Sequence, residues 1–167
     1  MIYFSWHHFK APATIMVTAS HNPPEYNGLK VSLNQKPIFE KDLEEIKEIF
    51  LEKKFFSGQA NEKKREIAPA YINYLQENIK ITKKFKVAID TGNGTTGLFT
   101  EKIFKNEGCR VTSLFVESDG SFPHHHPYPQ KTELYAELVK KLKAGSYDLG
   151  LAFDGDGDRL GVYDSSG

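Results

Sequence analysis

Several features that would direct this chain toward other functions are scarce or missing. Cys109 is the one cysteine in 167 residues, so no internal disulfide can form and a reducing, cytoplasmic setting is expected. The formal net charge is zero, from 22 basic and 22 acidic residues. That balance argues against a general nucleic-acid or membrane-surface binder. No apolar run approaches the ~20 residues that cross a bilayer. The first residues lack the basic, then apolar, then small-residue order of a signal peptide. No internal repeat or low-complexity tract occurs. What is present is 39% apolar and 26% charged, the make-up of a globular protein with chain enough for one large domain or two small ones.

Hydropathy patterns give the element order. Tyr3, Trp6 and Phe9 at three-residue spacing predict a short helix with one buried face, ended by Ala11-Pro12. Residues 14–17 read as a short buried strand rich in β-branched side chains. Leu29, Val31 and Leu33 alternate with Lys30 and Ser32, a half-buried strand with Lys30 on the face opposite the apolar row. A turn is expected over residues 34–37, a return strand at 38–39, and a helix over 42–54 with Leu43, Ile46 and Phe50 on one stripe. Residues 57–65 (SGQANEKKR) look like a linker, and a helix over 69–79 begins with a proline in its first turn. From residue 85 the pattern becomes strand (85–89), helix (96–106), strand (110–116), helix (131–143), strand (148–153) and a last strand (160–163). The expectation is an α/β fold with two α/β lobes, the first truncated. The second is a mainly parallel strand-helix-strand-helix-strand sheet, with ligands at the carboxyl ends of its strands.

Two segments carry chemistry. In DGDGDR, Asp154, Asp156 and Asp158 alternate with glycines directly after a strand. Three carboxylates so close repel one another unless a cation is present. Hard oxygen ligands select Mg²⁺, Mn²⁺ or Ca²⁺. An EF-hand needs glycine at position six and glutamate at twelve; Arg159 and Ser165 stand there instead. Three protein ligands leave room for a phosphate oxygen, the usual further partner of Mg²⁺. The second segment is TASHNPPEYNGLK, where Ser20 follows an apolar run and precedes His21 and a paired-proline turn. An unmodified serine hydroxyl is a poor nucleophile without a base. A phosphoryl group on Ser20 would bring the combined charge to about −5. A divalent cation with Arg159, Lys30 and His21 would offset much of it.

Three weaker signals have blander readings beside them. Residues 92–97 (GNGTTG) match G-x-G-x-x-G between a strand and a helix, the pattern of a dinucleotide-binding turn. However, Asp90 and Thr91 precede the first glycine, and an acidic side chain there would repel a pyrophosphate. A glycine turn that lets a helix pack closely is the alternative. His124, His125 and His126 between Pro123 and Pro127 lack zinc spacing and fit a rigid surface loop. His7 and His8, adjacent on a helix, point ~100° apart and fit a structural or surface role.

Together, TASHNPPEYNGLK, the ESDGSFPHHHP loop and DGDGDR in this order resemble the α-D-phosphohexomutases, the phosphomannomutase/phosphoglucomutase family. The resemblance implies that residues 1–66 correspond to the C-terminal part of a first domain and residues 67–167 to a second. It implies that Ser20 is the phosphoserine and that Asp154, Asp156 and Asp158 hold one Mg²⁺ with an oxygen on Ser20. Lys30 would assist proton transfer or stabilise charge at the transferring group, Arg159 steady the phosphate and His21 shape the site. The implied reaction moves a phosphoryl group between the 1- and 6-positions of a hexose through a hexose 1,6-bisphosphate, with a phosphosugar substrate and neither nucleic acid nor membrane as partner. The family's sugar-recognition loop, its phosphate clamp and a site arginine have no counterpart in the sequence. A polypeptide with negligible turnover alone, a truncated product or a split enzyme with a complementing chain, is therefore expected. Poor solubility is expected as well.

Overall fold

A computed structural model describes residues 1–34 and 36–167. The chain divides into two units, one of residues 1–17 and 29–71, the other of residues 18–28 and 72–167.

In the first unit, α1 (Ile2–Phe9) leads into β1 (Ala13–Val17), which pairs antiparallel with β2 (Leu29–Leu33). β3 (Lys36–Pro37) adds to the far side of β2, and α2 (Glu40–Leu51) follows. The register sets Val17 against Leu29, Ile15 against Val31 and Ala13 against Leu33. All these apolar side chains therefore share one face of the sheet. It is the uncovered face: Ile15 is 60% exposed, Val17 67% and Leu29 64%. The side that α1 packs on carries Thr14, Met16 and Ser32, and Ser32 and Trp6 are buried.

Several expectations are thereby corrected. Residues 14–17 do not form a buried strand, and the apolar row of β2 is mostly exposed, because α1 covers the opposite side. Of the α1 stripe only Trp6 is buried; Tyr3 and Phe9 are exposed. The stripe of α2, Leu43, Ile46 and Phe50, is exposed as well, and this helix ends at Leu51 rather than 54. The return strand falls at Lys36–Pro37 instead of 38–39, with the proline at a sheet edge where a missing N–H costs least. Of the turn expected over 34–37, Gln35 lies outside the described residues. Residues 54–67, which include the expected linker, carry no helix or strand.

The division between the units runs within α3 (Ala68–Asn78), between Tyr71 and Ile72. The second unit holds a four-stranded sheet in the order β5-β4-β6-β7. Its strands are β4 (Lys86–Asp90), β5 (Arg110–Leu114), β6 (Leu149–Phe153) and β7 (Leu160–Tyr163). β4 pairs parallel with both β5 and β6, and β7 is antiparallel to β6, so the expected mainly parallel sheet is present. Alternation along β4 sends side chains to two cores. Ala88 joins Tyr135, Leu138, Leu142, Ala152 and Tyr163 under α5 (Ala136–Ala144). Val87 and Ile89 join Cys109 and Leu151, packed by Phe104 of α4 (Thr100–Asn106). Both helices begin later than their periodicity suggests, because each is entered through a tighter 3-10 turn, at Thr95–Leu98 and Thr132–Tyr135. Leu134, Leu138 and Leu142 form the expected stripe, and the last two are fully buried.

This order fixes where a site can lie. From β4 the chain passes to β5 on one side, then returns to β6 on the other. The carboxyl ends of β4 and β6 therefore flank the crevice where parallel sheets take ligands. Asp90 closes β4, and Asp154 follows β6 directly. Among the described residues no helix is long and apolar enough to cross a membrane.

Candidate phosphoryl and metal site

The segment of residues 18–28 belongs to the second unit and meets the end of β6. Its ends are tied by Thr18 N–H donating to the Gly28 carbonyl at 3.0 Å. Inside it, Ser20 N–H donates to Thr18 Oγ1 at 2.9 Å, and Thr18 Oγ1 donates to Asp156 Oδ2 at 3.3 Å. Ser20 sits in the left-handed region, with φ of +56°, a conformation that costs a side-chain-bearing residue about 1–2 kcal/mol. That turn puts the Ser20 backbone against the aspartate loop. A Cβ on Gly155 would stand 2.3 Å from the Ser20 carbonyl oxygen, so the loop must carry glycine there.

Ser20 Oγ lies 3.2 Å from Asp154 Oδ2, 3.3 Å from Asp156 Oδ1 and 3.2 Å from His21 Nδ1. One hydroxyl proton can serve only one of these acceptors. Asp154 is fully buried. It accepts from Arg159 Nε at 2.9 Å and from the Arg159 backbone N–H at 3.1 Å, and its Oδ2 forms an ion pair with Nη2 at 2.8 Å. Arg159 Nη2 also donates to Ser20 Oγ at 3.3 Å and meets His21 Nδ1. Burial works against the guanidinium charge, but the bonds to Asp154 and the fields of Asp154 and Asp158 outweigh it and raise the Arg159 pKa. Asp158 lies 3.5 Å from Arg159 Nε.

The three aspartates each offer a carboxylate oxygen within 4.8 Å of the others. Carboxylates with a serine oxygen beside them are an all-oxygen donor set, and the Ser20 proton cannot satisfy the facing carboxylates at once. Both facts fit a hard divalent cation. Ser20, His21, Arg159 and the three aspartates are thus brought together within one unit. Lys30 stands on β2 of the first unit, exposed, with Met16 as its partner across the strands.

The glycine turn at 92–97 has no capacity for a dinucleotide. Gly92 N–H donates to Asp90, Asn93 N–H to the Phe115 carbonyl, Gly94 N–H to Thr91 and Thr95 N–H to Gly155. These donors would have to face a pyrophosphate. A Cβ on Gly97 would lie 2.1 Å from the Val116 carbonyl oxygen, so close backbone packing requires glycine. The dinucleotide reading is overturned: the turn supports the aspartate loop from beneath.

The three histidines have separate tasks and form no metal site together. His124 Nδ1 meets Asn93 Oδ1 at 2.8 Å, and its ring stacks on Phe115. His125 Nε2 lies 3.0 and 3.1 Å from the two oxygens of the buried Asp90. Burial opposes the imidazolium, but the Asp90 contact prevails and raises the His125 pKa. The His126 and His21 rings meet edge to face, with centroids 5.3 Å apart. Burial lowers the His126 pKa, helped by repulsion from His21, Lys131 and Arg159. Thr18, Asp90, His126 and Tyr128 escape the sequence reading. The Thr18 hydroxyl two residues before Ser20 was the one local signal available.

Comparisons with known proteins agree with this geometry. Residues 69–167 match the family model described as phosphoglucomutase/phosphomannomutase, alpha/beta/alpha domain II, and residues 1–57 the corresponding domain I. The whole chain is similar to a phosphomannomutase/phosphoglucomutase of Pseudomonas aeruginosa, 36% identical across 36% of that protein's length. It is similar to a phosphoglucomutase of Neisseria meningitidis serogroup A, 40% identical across 37% of that protein. A solved phosphoglucomutase/phosphomannomutase family protein from Burkholderia thailandensis matches with a TM-score of 0.89 and 38% identity, covering 93% of this chain and 34% of that one. The chain thus spans little more than a third of each of these relatives. A serine-bearing turn closed on a triple-aspartate loop, and a family model matching all of the second sheet, lead to one assignment: this chain belongs to the phosphoglucomutase/phosphomannomutase family.

Proposed function

We propose that this chain carries the phosphoserine and metal-binding part of a phosphohexomutase, in which Ser20 takes up and gives back the phosphoryl group of a hexose phosphate. Ser20 Oγ lying 3.2 Å from Asp154 and 3.3 Å from Asp156 carries the reading. On transfer, a bond forms between Ser20 Oγ and phosphorus while the bond from phosphorus to the sugar oxygen breaks. The hydroxyl proton needs an acceptor, and the carboxylates of Asp154 at 3.2 Å and Asp156 at 3.3 Å are within reach, while His21 Nδ1, which meets the Arg159 Nη2 donor, shapes the site. The departing sugar oxygen takes up a proton; the family resemblance implies that Lys30 assists proton transfer or stabilises charge at the transferring group. Arg159, held on Asp154, directs Nη2 at Ser20 Oγ and steadies the arriving negative charge. Positioning and electrostatics carry most of the catalysis in such transfers.

Asp154, Asp156, Asp158 and an oxygen on Ser20 would hold one Mg²⁺. Bound there, it would supply electrostatic stabilisation of the transferring phosphoryl group. Return of the phosphoryl group to the other hydroxyl of a hexose 1,6-bisphosphate would complete an exchange between positions 1 and 6. The family-model matches to residues 1–57 and 69–167 support placing the end of a first domain at 1–66 and a second domain at 67–167. The single free, buried Cys109 supports a cytoplasmic setting. A polypeptide of these 167 residues alone is expected to show negligible mutase turnover without further segments or a complementing chain. Mass spectrometry after exposure to hexose 1,6-bisphosphate and Mg²⁺ tests the first half-reaction by counting phosphoryl groups on Ser20.

A further inference from the structure

The Tyr128 ring touches both Arg159 and His21, the two side chains that reach Ser20 Oγ besides the aspartates. The Arg159 guanidinium carbon sits 5.2 Å from the centre of the Tyr128 ring. The His21 ring lies 5.1 Å away, tilted by 36°. The Arg159 edge is fixed on Asp154, and Nη1 reaches Gln130 Oε1 at 3.5 Å. What those bonds leave open is rotation of the guanidinium about the carboxylate edge, and the ring face closes that freedom.

The backbone under Tyr128 is built to hold it. Pro127 and Pro129 flank it, and both are buried. Each proline fixes its own φ and restricts the residue before it. Tyr128 N–H donates to the His126 carbonyl at 2.9 Å, and the Tyr128 carbonyl accepts from Lys131 N–H at 2.9 Å. Pro127 is wedged against Gly92, where a Cβ would come within 2.8 Å of the proline ring. The ring therefore stands on a rigid loop while its partners are long or rotatable side chains. An electron-rich ring face attracts a guanidinium most where water is partly excluded, and Arg159 is 28% exposed.

We infer that Tyr128 is a positioning residue: its ring holds Arg159 Nη2 and His21 Nδ1 on Ser20 Oγ and so sets how fast Ser20 accepts a phosphoryl group, with little effect on how tightly the donor binds. This rests on the reading of Ser20 as the phosphoryl acceptor. The role comes from the ring face and not from the phenol oxygen, so phenylalanine should replace tyrosine and leucine should not.

The test compares the wild type, Tyr128→Phe and Tyr128→Leu by two readouts. The first is the NMR signal of the Arg159 Nε–H group, which a ring face at this distance displaces and which the Asp154 bond protects from exchange. The second is the maximal rate and half-saturating concentration of Ser20 phosphorylation by hexose 1,6-bisphosphate with Mg²⁺, read by intact mass. Tyr128→Leu should lose the displacement and exchange faster, while its maximal rate falls roughly threefold to thirtyfold, the span that cation–π energies cover. Its half-saturation should stay within about twofold, and Tyr128→Phe should match the wild type in both readouts. An Arg159 signal unchanged in Tyr128→Leu, or equal losses in both variants, overturns the inference. If the wild type takes up no phosphoryl group, the acceptor reading fails, and the NMR comparison alone still decides whether Tyr128 positions Arg159.

Discussion

Ser20 Oγ and Asp154 Oδ2 stand 3.2 Å apart although 134 positions separate them in the chain. The contact depends on a left-handed serine on one side and a side-chain-free Gly155 on the other. It makes the serine turn and the aspartate loop one chemical unit.

The Ser20 backbone is held against its preference. Ser20→Ala and Ser20→Gly both remove the hydroxyl, but only glycine adopts φ of +56° without the Cβ penalty. The glycine variant should be the more stable by about 1 kcal/mol. Thermal or urea unfolding of the two measures this, and an alanine variant as stable as glycine would show that the turn relaxes.

Magnesium should stabilise the folded chain. Asp154, Asp156 and Asp158 converge within 4.8 Å, and a cation that binds only the folded state adds about 2.7 kcal/mol at 100 times its Kd. A rise in melting temperature with Mg²⁺, reversed by a chelator and absent in Asp156→Asn, is the expected result. An equal rise in that variant would place the ion elsewhere.

The Asp90–His125 pair gives stability a pH dependence of defined sign. The His125 pKa is raised above its ordinary 6.5, so the folded state binds the proton more tightly than the unfolded chain. The resulting stabilisation is whole below pH 6.5 and fades as pH rises through the raised pKa. Measured against His125→Gln, the wild type should have its largest advantage in acid. An advantage that grows with pH would contradict the assigned charge states.

Gly97 should tolerate no side chain. A Cβ there would lie 2.1 Å from the Val116 carbonyl oxygen, an overlap with backbone that only a shift of the segment after β5 can relieve. Gly97→Ala should cost about 1–3 kcal/mol, measured by urea unfolding, and no added dinucleotide should change the result.

The outline of the candidate site was legible because its signals are local. Three aspartates at alternate positions mark a candidate cation site by their spacing, and Ser20 stands in a turn whose prolines and glycine are readable in order. The second sheet was legible for the same reason, since Leu138 and Leu142 repeat at helical spacing and β4 carries the apolar run Val87-Ala88-Ile89. The supporting shell was not. Asp90 and His125 are 35 positions apart, and no periodicity links a buried carboxylate at a strand end to one histidine among three. In the first unit, alternation along residues 29–33 marks an apolar face but does not say which face a helix will cover. α1, with its one buried Trp6, covers the side carrying Thr14 and Ser32. Ile15, Val17 and Leu29 are exposed as a result.

The most direct measurement of the central claim is the intact mass of the chain after incubation with hexose 1,6-bisphosphate and Mg²⁺. Ser20, Asp154 and Asp156 acting as one centre predict a gain of a single phosphoryl group. It should map to Ser20, vanish in Ser20→Ala and fall steeply in Asp156→Ala. No gain, a phosphoryl group that maps to another residue, or equal uptake by Asp156→Ala would contradict it.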